Sequence, residues 1–265
     1  MSARPLFAVI TVCYQAEDVI EDTIRSVLNQ SYKDFEYIIV DGGSTDGTCK
    51  IIEKYIKDPR IKYTSEKDKG LYDAMNKGIK RSVGAYINYM NAGDCLADED
   101  VLRDVSEVIK ENPRMDFIYG NVLYRYDDGS EMVRKYPWYC STGLYQLMGD
   151  CINHQGLFAK RIHYEQIPFA IDKYRISCYR DWITHQCSLK KKFKAMDRII
   201  CRFSFSENSF TALNYKEHLV ELDKILKEYY PLGFPIYRMI KAVRNGKTSA
   251  KILHRIYEIV FLKKK

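Results

Sequence analysis

Two short apolar runs in this chain of 265 residues end in acidic, glycine-rich turns. Ile38-Ile39-Val40 leads into Asp41-Gly42-Gly43-Ser44-Thr45-Asp46-Gly47-Thr48, and Tyr86-Ile87-Asn88-Tyr89-Met90 leads into Asn91-Ala92-Gly93-Asp94. Ligands of alternating strand and helix folds bind beyond the carboxyl ends of parallel strands, so carboxylates at two such ends converge on one polar ligand. A nucleotide with a metal fits that pattern. The glycines after Asp41 let backbone approach a ligand closely, and the Asp41 carboxylate has no cap to make, so it is expected to accept hydrogen bonds from a base or ribose. Asp46 reads as a helix cap instead. Asp94 offers one oxygen to Mg2+ or Mn2+, which suffices where a diphosphate and water complete the octahedron, and Asn91 adds a neutral contact. The same tetrapeptide is also ordinary turn chemistry, and its place directly after an apolar strand is what raises it above that.

A third polar stretch, Glu66 to Gly78, puts Asp68 in a loop and Asp73, Asn76 and Lys77 in the first two turns of a helix. On an isolated helix this would be a solvated face with an ion pair. At the carboxyl end of a third strand it is expected to border the same cleft. Four strand-then-helix units must hold these groups: strand 7–13 with helix 17–29, strand 35–40 with helix 47–56, strand 60–64 with helix 71–81, and strand 85–90 with a helix capped by Asp98 and ended by Asn112-Pro113. The implied fold class is α/β, a mostly parallel sheet covered on both faces. After Met115 the rhythm changes. A hairpin is expected over 117–126 and 131–136 around Asp127-Asp128-Gly129-Ser130, then strands near 156–159 and 193–196, and helices near 181, over 214–229 and over 252–262.

Val9 to Gln15, Ser26 to Tyr32, Val40 to Thr48, Asp68 to Gly78 and Asn91 to Asp94 occur in the order of the family 2 glycosyltransferases of the GT-A fold, which the chain resembles over roughly residues 7 to 96. The resemblance implies inverting transfer of a sugar from a nucleotide diphosphate sugar, more often UDP-linked, to a glycan or lipid-linked acceptor in surface polysaccharide assembly. It also implies that Thr11 and Tyr14 line the nucleotide pocket, that Asp41 holds the base, that Asp68 helps hold nucleotide or donor, and that Asp94 binds the metal. Two departures stand out: Gly42 replaces the family's second acid, and the Asp-x-Asp metal motif becomes Asn91-x-x-Asp94. Inverting transfer needs a base for the acceptor hydroxyl. The family's acid opening a late helix corresponds to Asp181 in Tyr179-Arg180-Asp181-Trp182, with Arg180 where an acid is common and first-turn helix chemistry as the competing role. Asn153-His154-Gln155 resembles the His-Gln segment bordering the acceptor site. His185 lies four residues after Asp181 on the same helical face, placed to orient the base or to pack. Trp138, Tyr139 and Trp182 are candidates for stacking on a sugar ring.

The net charge of +7 is uneven. Leu232 to Lys265 holds nine Lys or Arg and one acid, Glu258, leaving 33 basic against 34 acidic residues before it. The reading is therefore a catalytic domain over 1–230, with a nucleotide-sugar half at 1–114 and an acceptor half at 115–230, followed by a basic amphipathic tail at 231–265. The tail's Ile252, Leu253, Ile256, Tyr257 and Ile259 to Leu262 favour a membrane surface over nucleic acid, and packing on its own domain is the competing role. The eight cysteines form no C-x-x-C pair, which argues against zinc and for a reducing, cytoplasmic setting, and the basic, greasy tail suggests a peripheral place on the inner face of the plasma membrane. Two rival functions remain in view: a catalytically silent sugar-nucleotide-binding or scaffolding protein, favoured by the altered metal motif, and a nucleotidyltransferase. The second should carry a glycine-rich basic loop near its first strand, and Tyr14-Gln15-Ala16-Glu17-Asp18 is not one.

Overall fold

The computed structural model describes residues 4–206 and 209–244. The chain runs β1 (Phe7–Cys13), α1 (Ile20–Leu28), β2 (Phe35–Asp41), α2 (Thr48–Glu53), β3 (Ile61–Ser65), α3 (Leu71–Arg81), β4 (Tyr86–Tyr89), β5 (Cys95–Leu96) and α4 (Val101–Glu111). It continues through β6 (Phe117–Tyr126), β7 (Glu131–Arg134), α5 (Gly143–Leu147), β8 (Leu157–Lys160), α6 (Arg161–Gln166), α7 (Cys178–Ser188), β9 (Phe193–Phe205), α8 (Phe210–Leu213), α9 (Tyr215–Tyr229) and α10 (Phe234–Arg244). Among the described residues nine strands form one sheet in the order β3-β2-β1-β4-β8-β6-β9-β5, with β7 paired to β6. Strands β1 to β4 are mutually parallel, and β8 turns antiparallel between β4 and β6. The expected α/β sheet is present, but it is parallel only through β1 to β4 and mixed beyond: β6 runs parallel to β9 and antiparallel to β7 and β8, and β5 runs antiparallel to β9.

Local chemistry explains these elements. All seven residues of β1 and of β2 are buried, the continuous apolar signature of strands covered on both faces. Helix α3 packs onto β1 through Gly78, where an added Cβ would stand 2.5 Å from Ile10 Cγ2, so only glycine permits that approach. The turn signal at residues 127–130 closes the β6–β7 hairpin as read. Asp98 does not cap α4: its carboxylate accepts from the Asp100 N–H (3.0 Å) and from Arg198, so the aspartate starts a turn two residues before the helix. Strand β9 extends nine residues beyond the expected 193–196, because its pairing with β6 shifts register around Asn121 and masks the alternation.

Helix α7 begins three residues before Asp181. Its buried amino end is secured from a distance: the buried Glu221 carboxylate of α9 accepts from the N–H groups of Arg175 (2.8 Å), Ile176 (3.1 Å) and Ser177 (2.8 Å). An acid at a helix amino terminus also meets the favourable end of the helix dipole. Residues 234–244, assigned above to a tail, form α10 and pack through Tyr237 against Leu147, Leu222 and Leu226. The helix expected over 252–262 lies outside the described residues. No described helix is long and apolar enough to cross a membrane.

Candidate active site

The carboxyl ends of β1, β2 and β3 meet at Gly42. A Cβ added there would stand 2.7 Å from Asp68 Oδ2 and 3.4 Å from a Tyr14 ring carbon, so Tyr14, Gly42 and Asp68 border one concavity. Tyr14 is 65% exposed and offers an open aromatic face. Asp68 Oδ1 accepts from the Gly70 N–H at 2.7 Å. Asp41 is fully buried beneath them. Its Oδ2 accepts from Gly43 N (3.0 Å), Ser44 N (2.9 Å) and Ser65 Oγ (2.6 Å), with Cys49 Sγ at 3.5 Å, and its Oδ1 accepts from Ser44 Oγ. Burial alone would raise its pKa, yet the Ser44 and Ser65 hydroxyls and the Ser44 N–H outweigh it and hold the carboxyl below the usual range. The expectation that this side chain caps nothing is corrected. It is the keystone of the glycine turn.

Gln15 ties β1's exit to the same turn. Its Oε1 accepts from Thr45 N (2.8 Å) and Asp46 N (3.2 Å), and its own N–H reaches Ser44 Oγ at 2.8 Å. Asp46 is not the cap itself, which is Gly47; its carboxylate accepts from Thr48 N at 3.0 Å in a turn one residue before the cap.

A second cluster closes at the end of β4. Asn91 Nδ2 meets His154 Nε2 at 3.0 Å, Gln155 Nε2 donates to Asp94 Oδ2 at 2.8 Å, and Asp94 N donates to Asn91 O at 3.0 Å, so the four residues form a ring. Ser204 on β9 donates its N–H to Asp94 Oδ1 (3.1 Å) and its hydroxyl to Gly93 O (2.7 Å). Burial pushes the Asp94 pKa up to about 7 against the opposing pull of Gln155 and Ser204, and it lowers the His154 pKa to about 4, keeping the imidazole neutral. The ring leaves Asn91 Oδ1 and Gln155 Oε1 buried without a donor among the described residues. Tyr89 and Tyr179 meet the His154 ring edge-on at 6.4 and 5.1 Å between centroids. No described group of three or more His, Cys, Asp or Glu side chains is suited to a metal.

Asp181 belongs to another face of α7. It lies two positions after Tyr179 on the helix, a rotation of about 200°. Its Oδ1 accepts from Tyr229 OH at 3.0 Å with Lys173 Nζ at 4.0 Å, while Oδ2 has no hydrogen-bond partner among the described residues. Burial raises its pKa, against Lys173 and Tyr229. His185 stacks on Tyr229 at 4.8 Å and joins this cluster rather than that of Asp94.

Several expected contacts are structural. Thr11 is fully buried and bonds to Met90 O (2.6 Å) and Tyr37 OH (2.9 Å), so it fastens β1 instead of lining a pocket. Asn76 spends both amide atoms on the Phe169 backbone, each at 3.0 Å, clamping α3 to the loop before α7. Asp73 accepts from Lys69 N at 3.0 Å and lies 3.5 Å from Lys77, which secures the loop carrying Asp68. Trp182 is 1% exposed, stacks on Tyr164 at 4.0 Å and donates to Ile167 O, so no sugar reaches it. Trp138 and Tyr139 remain open, at 75% and 47%. Gln15, Ser204 and Tyr179 were not among the expected site residues. Gln15 and Tyr179 stand inside motifs quoted above, whereas nothing in the sequence marks Ser204.

The profile of the family "Glycosyl transferase family 2" matches residues 8–176, well over half of the chain. A "PGL/p-HBAD biosynthesis glycosyltransferase" of Mycobacterium tuberculosis is 34% identical over 125 residues, 46% of this chain and 49% of that protein. TuaG of Bacillus subtilis, named for teichuronic acid biosynthesis, is 45% identical over 93 residues, 34% of this chain and 37% of its own. The chain thus spans about half the length, or less, of these relatives. Among solved structures, Staphylococcus aureus TarS 1-349 with UDP aligns at TM-score 0.62 and 19% identity, covering 84% of this chain and 70% of that one. A mannosyltransferase of Pyrobaculum calidifontis with GDP-Man and Mn2+ aligns at TM-score 0.63 and 17% identity over 99% and 82%. At these identities the structural likeness establishes the GT-A fold alone.

Proposed function

Since the chain belongs to glycosyl transferase family 2, we propose that it transfers a sugar, with inversion, from a nucleoside diphosphate sugar to a hydroxyl of a glycan or lipid-linked acceptor in surface polysaccharide biosynthesis. The observation that carries this reading is the convergence of Tyr14, Gly42 and Asp68 above a buried Asp41 at the carboxyl edge of parallel strands. In the proposed arrangement Tyr14 packs on the nucleotide base. Asp41 fixes the turn whose backbone lies against the nucleoside, and Asp68 takes a hydroxyl. UDP is the nucleotide we favour, by the likeness to a fold bound to UDP in TarS.

The ring of Asn91, Asp94, His154 and Gln155 faces the sugar and diphosphate. Each Asp94 oxygen accepts one N–H and keeps a second lone pair. A cation there would relieve the burial that raises its pKa. These residues fit a divalent ion whose other ligands are phosphate oxygens. Asp94 and Asn91 Oδ1 would hold it, and when bound, Mg2+ or Mn2+ neutralises the leaving diphosphate. Asp181, with one oxygen held by Tyr229 and the other open, is the proposed base, and burial strengthens its hold on a proton. The eight free cysteines suit a reducing compartment, and we place the protein in the cytoplasm.

Thermal unfolding with UDP, GDP and TDP, each with and without Mn2+, tests the reading. At a hundredfold excess over Kd, one nucleotide is expected to raise the midpoint by roughly 5–10 °C. Mn2+ is expected to enlarge that rise. No shift with any nucleotide would refute nucleotide binding, and a shift indifferent to Mn2+ and to EDTA would remove the metal role of Asp94.

A further inference from the structure

Helix α9 turns Glu221, Leu222, Ile225 and Leu226 inward and leaves an outer face built from Lys216, Val220, Asp223, Lys224 and Lys227, with Glu217 and Glu228 at its border. The acids of this face are all engaged. Glu217 pairs with Arg175 at 2.9 Å, Asp223 with Lys241 and Tyr237 at 2.7 Å each, and Glu228 with Lys173 at 2.7 Å. The three lysines have no ion pair or hydrogen bond among the described residues. Large apolar side chains accompany them: Val220 is 57% exposed within the stripe, Leu213 69% just before the helix and Leu232 95% just after it. Helix α10 adds an exposed Arg238 beside Met239, which is 42% exposed.

Unpaired lysines among exposed leucine and valine match the interface of an anionic bilayer, where ammonium groups meet phosphate and apolar tips enter the acyl boundary. A purely phosphate ligand such as nucleic acid gives no reason for leucines exposed at 69% and 95%. The chain beyond α10 repeats this chemistry in sequence: residues 245–265 carry six Lys or Arg and one acid. We propose that the outer face of α9, flanked by Leu213 and Leu232, docks on an anionic membrane surface. Docking stands apart from the proposed reaction and is measurable without it.

The test is co-sedimentation of the full chain with phosphatidylcholine vesicles, with or without a third of phosphatidylglycerol. Binding is expected only to the anionic vesicles. Replacing all three lysines (Lys216→Glu, Lys224→Glu, Lys227→Glu) is expected to lower vesicle affinity at least tenfold, and Leu213→Ser with Leu232→Ser severalfold. The unfolding midpoint of each variant should stay within about 2–3 °C of the parent, since exposed side chains without partners contribute little to stability. Equal binding to both vesicles, wild-type binding by the lysine variant, or displacement from vesicles by a single-stranded oligonucleotide would each overturn the proposal.

Discussion

Asp41→Ala is expected to abolish the nucleotide-induced thermal shift and to lower stability by roughly 2–5 kcal/mol. The stability loss follows from Gly43 N, Ser44 N and the Ser65 hydroxyl, which share one oxygen of a fully buried carboxylate. Buried donors that lose an acceptor cost about 1–3 kcal/mol each, and water entering the vacated space recovers part of it. The binding loss follows from the same geometry. Without its anchor the turn releases Gly42, and with it the close approach of Asp68 and Tyr14. Asp41→Asn separates the two effects: it keeps the size and one acceptor, so stability should fall less, while nucleotide Kd should rise at least tenfold. Calorimetric unfolding with titration of UDP reads both quantities. Wild-type affinity in Asp41→Ala would show that the turn does not touch the nucleotide.

Asp181→Asn should lower turnover by about 10²- to 10⁴-fold, the usual contribution of a general base, while the nucleotide-induced shift stays at the wild-type value. The expected pH dependence has a definite sign. A base must be ionised, and burial holds the Asp181 carboxyl above its ordinary range, so activity falls with acidification at a pH higher than an exposed aspartate would give. Tyr229→Phe removes one of the contacts that favour the ionised form, so it should move that acid limb to still higher pH. Full turnover in Asp181→Asn would leave the residue as a link between α7 and α9, a role its contacts with Tyr229 and Lys173 also satisfy.

Much of the first half was legible because its signals are local. Apolar runs mark β1, β2 and β4, and helix α3 begins and ends at the expected residues. Reading failed where a side chain's partner is remote. Asp41 is a partly local miss, since Gly43 and Ser44 two and three residues on hold it in a turn that the aspartate-glycine-serine run allows, while Ser65, 24 residues away, gives no signal; Asn76 reads as a cleft residue because Phe169 lies 93 positions downstream. Trp182 shows the same limit, since only the fold reveals Tyr164 stacked against it. Asp94 drew notice as a carboxylate after an apolar strand, but the burial that raises its pKa and the Gln155 and Ser204 contacts that oppose the rise come from distant segments. The half after Met115 was hardest because its sheet mixes directions: β8 reverses between two parallel neighbours and β9 carries a register shift.

The most direct test of the central claim is release of nucleoside diphosphate from a panel of UDP-, GDP- and TDP-linked sugars, followed by chromatography with the wild-type chain and Asp41→Asn side by side. The account predicts release from at least one donor by the wild type, strongly reduced in the variant. Folded wild-type protein that binds none of these donors and releases no diphosphate from any of them, with glycan or lipid-linked acceptors present, would contradict it.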